Sequence, residues 1–142
     1  MGSSTCVLAK FDTGRKNYLK TTNLGDSGYV LIRPHADGKL EKLYRSKEQQ
    51  YSFNFPYQCG TNCDPPYVAQ DKEHQIQEND LIVLGTDGVF DNIYDEDILD
   101  CVKPSMKGVT MEMPQKASDC VAQLASKMGM APNYKSPFAK NA

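Results

Sequence analysis

The chain has 142 residues, the length of one domain, and a formal net charge of −2, with 16 Lys and Arg against 18 Asp and Glu. With 39% hydrophobic and 24% charged residues it reads as globular, and its singly scattered basic residues exclude an electrostatic footprint for nucleic acid. No apolar run approaches the roughly 18 residues that span a bilayer, and Met1-Gly2-Ser3-Ser4-Thr5-Cys6 has neither the basic start nor the apolar core of a secretory signal.

In chain order, Thr5 to Phe11 alternates loosely and is β-rich, and Asp12-Thr13-Gly14 signals a turn. Tyr18 to Asn23 reads as a second strand, Gly25-Asp26-Ser27-Gly28 as a second turn, and Tyr29 to Arg33 as a buried strand. A turn at His35-Ala36-Asp37-Gly38 leads to Leu40 to Tyr44. Short strands joined by Gly-bearing turns predict an antiparallel meander. Residues 58–78, with Gly, Asn, Asp and the Pro65-Pro66 pair, read as an irregular loop. His35 and His74 are expected to be solvated loop residues. Leu81-Ile82-Val83-Leu84 is a short, wholly apolar strand, expected to be covered on both faces. A helix is predicted to start near Asp95, where Asp95, Glu96 and Asp97 favour the positive N-terminal end. A second helix is predicted from Pro114 to Met128, with Ala117, Cys120 or Val121, Leu124, Ala125 and Met128 as its apolar stripe. Strands first and helices after them give an α+β class, with helices packed on antiparallel sheets.

Five cysteines are present: Cys6, Cys59, Cys63, Cys101 and Cys120. An odd count without a secretory signal predicts free thiols in a reducing compartment. Cys59 and Cys63 form a close pair, but one pair does not complete a four-ligand zinc site.

The chemistry concentrates in Leu81-Ile82-Val83-Leu84-Gly85-Thr86-Asp87-Gly88-Val89-Phe90-Asp91-Asn92. A strand ends, Asp87 stands at its tip, Gly88 is expected to let the backbone turn sharply beside it, and Asp91 follows four residues on. Hard divalent cations prefer clustered oxygen ligands on rigid elements. The same pattern also fits a turn capped by Asp87 and a helix started by Asp91. A haloacid-dehalogenase-type site does not fit, because Gly85 occupies the place of its nucleophilic Asp. A second signal is Asn23-Leu24-Gly25-Asp26-Ser27-Gly28, a Gly-flanked turn with a polar tip.

Together the two signals resemble a known family. Gly2-Ser3-Ser4-Thr5, then Asn23-Leu24-Gly25-Asp26-Ser27, then Thr86-Asp87-Gly88-Val89-Phe90-Asp91 follow the motif order of the type 2C metal-dependent protein serine/threonine phosphatases. Arg45-Ser46-Lys47-Glu48-Gln49-Gln50, Phe53-Asn54-Phe55-Pro56-Tyr57-Gln58 and Pro132-Asn133-Tyr134-Lys135-Ser136-Pro137-Phe138-Ala139 resemble the branch of that family often found in mitochondria.

The resemblance implies part of a four-layer sandwich with central antiparallel β-sheets flanked by helices, spread over residues 1–142 as a partial domain. It implies hydrolysis of phosphoserine and phosphothreonine in proteins by water activated on Mn²⁺ or Mg²⁺. Asp87 would be the catalytic core-site metal ligand, and Asp26, Asp87 and Asp91 would serve a weaker third metal site, on turns supported by Gly25 and Gly88. Asp26 equally fits a structural role, holding its turn by side-chain hydrogen bonds. The family's Asp-Gly-His-Gly-type motif before Gly-Ser-Thr and its Gly-x-Asp-Asn-type motif near the end have no match in these 142 residues. Three expectations follow: part of an active phosphatase, a catalytically inactive scaffold within a larger assembly, or a domain completed by another chain. Missing strands would leave unpaired sheet edges. The expected partners are phosphoprotein substrates or members of an assembly, with no nucleic acid and no membrane span. The expected location is intracellular, mitochondrial or cytosolic.

Overall fold

A computed structural model describes residues 2–142. Five strands carry the architecture: β2 (Cys6–Phe11), β3 (Tyr18–Leu24), β4 (Gly28–Pro34), β5 (Leu40–Arg45) and β10 (Leu81–Gly85). A short β1 (Ser3–Ser4) pairs with β8 (Cys59–Gly60), and β6 (Gln50–Ser52) with β7 (Phe55–Pro56). β9 (Gln70–Gln75) completes the larger strands. The helices are α1 (Asp87–Phe90), α2 (Asp95–Val102), α3 (Pro114–Gly129) and α4 (Pro137–Asn141). A small hairpin, β11 (Met106–Lys107) with β12 (Thr110–Met111), links α2 to α3.

The strands do not form one meander. They divide into two antiparallel sheets, β2-β3-β9 and β10-β4-β5. The break falls at residues 25–27, where Gly25 takes a left-handed φ of 99° and carries the chain from one sheet to the other. Alternation along β4 then serves two cores. Val30 and Ile32 face the helices, packing with Phe90, Ile93, Ile98, Val102, Ala117, Val121 and Ala125. Tyr29 and Leu31 face the other sheet, packing with Leu19, Val7, Ile76 and Ile82. The result is three layers, helices on sheet on sheet, in an α+β sandwich with antiparallel sheets.

Both long helices fall where their patterns predict. Asp97 accepts a 2.8 Å bond from the Tyr94 amide at the start of α2, and Pro114 opens α3. Residues 58–78 differ from the expected loop. They contain β9, which pairs with β3 from Tyr18↔Gln75 to Asn23↔Gln70. The six residues of β9 are polar, and His74 is the single half-buried one among them, so no apolar alternation marks the strand. His74 is likewise not a solvated loop residue. Its Nε2 lies 2.8 Å from the Tyr29 hydroxyl, and its ring packs on Tyr44 at 4.7 Å. β10 differs too: it is a half-buried edge strand paired with β4, with Leu84 46% exposed.

Cys101 and Cys120 form a disulfide between α2 and α3, with Cα atoms 5.5 Å apart. This corrects the expectation of five free thiols. The two helices pack against each other, and a separation of 19 residues across a hairpin gives no sequence cue to that meeting. Cys6, Cys59 and Cys63 are free.

Candidate active site

The register of three strands assembles the acidic residues. β4 begins at Gly28, opposite Gly85, the last residue of β10. Asp26 precedes that pair by two residues and Asp87 follows it by two, so both project from the same end of the sheet. β5 also ends there, with Arg45 opposite Val30, and Glu48 lies three residues beyond. Two motifs that are 60 residues apart in the chain are thus neighbours in space.

The pairing leaves little room at either glycine, least at Gly28. A Cβ on Gly28 would lie 2.3 Å from the Ser46 hydroxyl oxygen and 2.8 Å from Arg45 Nη1. A Cβ on Gly85 would lie 3.2 Å from the Phe90 ring and from Val89. The Arg45 guanidinium stacks over Phe90 at 3.5 Å and stands 3.5 Å from Asp95 Oδ1. The Asp26 turn is fixed as tightly. Gln49 N–H donates to Gly25 O at 2.9 Å, and Gly25 N–H donates to Gln49 Oε1 at 3.2 Å. Thr5 and Ser27 hydroxyls bond at 2.6 Å. The Gly2-Ser3-Ser4-Thr5 and Asn23–Gly28 motifs therefore touch.

Asp26 is 8% exposed. Burial, then the Asp87 charge, holds its carboxyl above the usual range. Asp91 caps the C-terminal end of α1, its amide bonding Asp87 O at 2.8 Å. Burial, followed by the charges of Glu48, Asp87 and Asp26, pushes Asp91 up to about 6, against the pull of Arg45. Loss of water raises Glu48 as well; Arg45 opposes that rise, and Asp26 and Asp87 add to it. Asp87 itself is exposed and accepts a 2.8 Å bond from the Gly88 amide. Gly88 sits in the first turn of α1 without a left-handed φ, so the sharp turn expected of it is an ordinary helix start.

Four carboxylates thus share one end of the sandwich, and Arg45 opposes their charge at Asp91 and Glu48. Glu48 and Arg45 were not marked as site residues in the sequence; the signal for them is their place at and just past the end of β5, which only the register reveals. A hard divalent cation fits this donor set, because mutual repulsion among carboxylates is what a cation relieves. No group of three His, Cys, Asp or Glu is spaced to enclose an ion among the described residues. An ion here would keep several water ligands, as Mg²⁺ commonly does.

Solved structures share this fold. The photosystem II phosphatase PBCP superposes with a TM-score of 0.81 at 28% identity, over 98% of this chain and 51% of that one. The catalytic domain of the serine/threonine phosphatase PstP, solved with two manganese ions, gives 0.57 at 17% identity over 87% of this chain and 54% of its own, a likeness of fold. The layers are those of a protein phosphatase.

Sequence relatives narrow the class. The chain is 36% identical over 152 residues to a protein phosphatase PTC7 homolog of Drosophila willistoni, and 35% identical over 149 residues to a PTC7 homolog of Homo sapiens. It is 35% identical over 138 residues to a probable protein phosphatase 2C of Oryza sativa subsp. japonica. These matches cover 100%, 99% and 97% of this chain and 46%, 47% and 22% of the relatives. The chain is similar over nearly its whole length to type 2C protein phosphatases and spans less than half the length of these curated relatives. No protein-family model matches it.

Proposed function

We propose that this chain carries part of the catalytic centre for metal-dependent hydrolysis of phosphoserine and phosphothreonine in proteins. The observation that supports it most is the carboxylate cluster at one strand end, with Asp91 held up to about 6 by burial and by its acidic neighbours. Asp26, Asp87 and Asp91 would hold Mn²⁺ or Mg²⁺, with Glu48 beside them. When bound, the cation supplies Lewis acidity and a nucleophile at neutral pH. Arg45 keeps the cluster from full repulsion, and Phe90 fixes the guanidinium in place. No helix among the described residues is long and apolar enough to cross a membrane. We place the activity inside the cell, in mitochondria, on the resemblance of the Arg45–Gln50, Phe53–Gln58 and Pro132–Ala139 segments, or in the cytosol.

One observation favours a second reading. No three acidic, His or Cys residues close around an ion among the described residues, which suits a catalytically inactive scaffold within an assembly. Release of phosphate from a phosphothreonine peptide separates the two. The phosphatase reading expects release that requires Mn²⁺ and drops at least about 100-fold in Asp87→Asn, about 2.7 kcal/mol of barrier. No release by the folded chain, and none when it is extended to the full length that its relatives span, sinks that reading and leaves the scaffold.

A further inference from the structure

Arg45 is the last residue of β5, and its side chain is 22% exposed. Three contacts fix where its charge sits. The guanidinium carbon lies 3.5 Å from the centre of the Phe90 ring. Nε stands 3.5 Å from Asp95 Oδ1, and Nη1 donates to Ser46 Oγ at 3.4 Å. Phe90 closes α1, which begins at Asp87, and Asp91 follows it directly. Glu48 comes three residues after Arg45 on the segment that leaves β5.

None of these contacts is a close ion pair. Distances of 3.4 and 3.5 Å lie beyond the usual range for a nitrogen donor, and Asp95 already bonds Lys42 Nζ at 2.7 Å. The positive charge of Arg45 is therefore held in place by packing on Phe90, without one partner to neutralise it. Loss of water lowers the Arg45 pKa, and Asp95, then Glu48 and Asp91, act against that fall. Glu48 and Asp91 line one hollow of about 80 Å³, and Asp91 and Asp87 line a second of about 370 Å³. A fixed cation thus stands at the edge of the site on the side of Glu48 and Asp91, where partial burial leaves its field weakly screened.

We infer that Arg45 is a positioning residue that acts as a built-in counter-ion, stabilising the carboxylate cluster when no metal is bound and competing with a divalent cation for it. This rests on the phosphatase reading, in which Asp26, Asp87 and Asp91 receive that cation. A group that favours the ion-free state lowers the affinity of the ion by the same factor. Arg45 therefore limits how tightly the cluster holds Mn²⁺ or Mg²⁺. Taking its charge away leaves the carboxylate donors in place and removes the competitor, so affinity rises. A residue that only braced the fold would have the opposite effect, because its loss would loosen the donors.

The test measures Mn²⁺ binding by titration calorimetry, without reference to activity, on the native chain, Arg45→Met and Arg45→Lys. Met keeps an unbranched side chain over the Phe90 ring without the charge, and Lys keeps the charge. Arg45→Met is expected to bind Mn²⁺ about tenfold more tightly, 1.4 kcal/mol, and Arg45→Lys to stay within about threefold of the native chain. Where Arg45→Met does not fold, Arg45→Gln, which keeps a donor for Ser46 Oγ, takes its place with the same expectation. Unchanged or weaker binding by the neutral variant overturns the inference and leaves the phosphatase reading standing. Equal tightening by Arg45→Lys does the same, since charge is then not the cause. Mn²⁺ binding neither by this chain nor by one extended to the length of its relatives overturns the metal-dependent reading, and this inference with it.

Discussion

Asp80→Asn tests how the strand that delivers Asp87 is held. Asp80 directly precedes β10, and its side chain is 4% exposed. Its carboxylate accepts from Arg33 Nε at 2.8 Å, from Arg33 Nη2 at 2.7 Å and from the Gln77 amide at 2.7 Å. Hydrogen bonds to charged groups contribute about 1.5–3 kcal/mol each. Asn keeps one acceptor and turns an amide donor toward the guanidinium. Arg33 retains some water, at 23% exposure, so the expected loss is about 2–3 kcal/mol rather than the full sum. Urea unfolding at pH 7 reads it as a lower midpoint with an unchanged slope. The pH dependence adds a second check. Burial acts to raise Asp80, but Arg33 and the Gln77 amide pull it below its ordinary 3.8. A depressed folded value means the pair's contribution is present above 3.8 and is lost as pH falls through the folded value. The gap between native protein and variant should therefore narrow as pH drops below 3.8. A loss under about 0.5 kcal/mol at pH 7, the range of ordinary surface changes, would refute the reasoning.

Three further perturbations have signed outcomes. Gly25→Ala puts a Cβ 2.4 Å from Thr5 Cγ2 and 2.5 Å from Tyr57 O at a φ of 99°; a loss of about 3 kcal/mol is expected, read as a melting shift of roughly 6–12 °C, and a shift near zero would mean the Asp26 turn relaxes freely. For Asp91, raised from 3.8 to about 6, the folded state prefers the protonated form, so its contribution is full below 3.8 and is lost as pH rises through about 6. Undamped, that change is worth about 3 kcal/mol, and partial exposure screens it to about 1 kcal/mol. In chelator, the native protein should lose that stability between pH 3.8 and about 6 while Asp91→Asn does not; parallel curves would refute the assigned cause. Reduction of Cys101–Cys120, 19 residues apart, should cost about 3 kcal/mol in urea unfolding, and five titratable thiols without reductant would show that the bond does not form.

Much of the fold was legible because the pattern and the burial agree. The apolar run in β4 and the three- and four-residue spacing in α3 carry the two sides of one core. β9 was hidden for a physical reason: a strand with one inward-facing side chain, His74, has no hydrophobic period to read. The meander expectation failed because a Gly-bearing turn looks the same whether the next strand pairs beside the last one or crosses to a second sheet. At the site, Asp26, Asp87 and Asp91 stand out through their glycine-flanked motifs. Glu48 and Arg45 have no such flanks, and their role follows from where β5 ends. The Cys101–Cys120 bond depends on how two helices meet, a fact of tertiary packing.

The Gly28–Gly85 pair also works as a ruler. A slip of β10 by one residue would set Leu84 or Thr86 against Gly28, carry Asp87 about 3.3 Å along the strand and turn alternate side chains to the opposite face. The acidic cluster is therefore not adjustable by degrees: the strands are in step and the carboxylates meet, or they are out of step and the cluster disperses. A hydrogen-exchange experiment on the β10 amides, which belong to the ladder with β4, would thus report the integrity of the charge site.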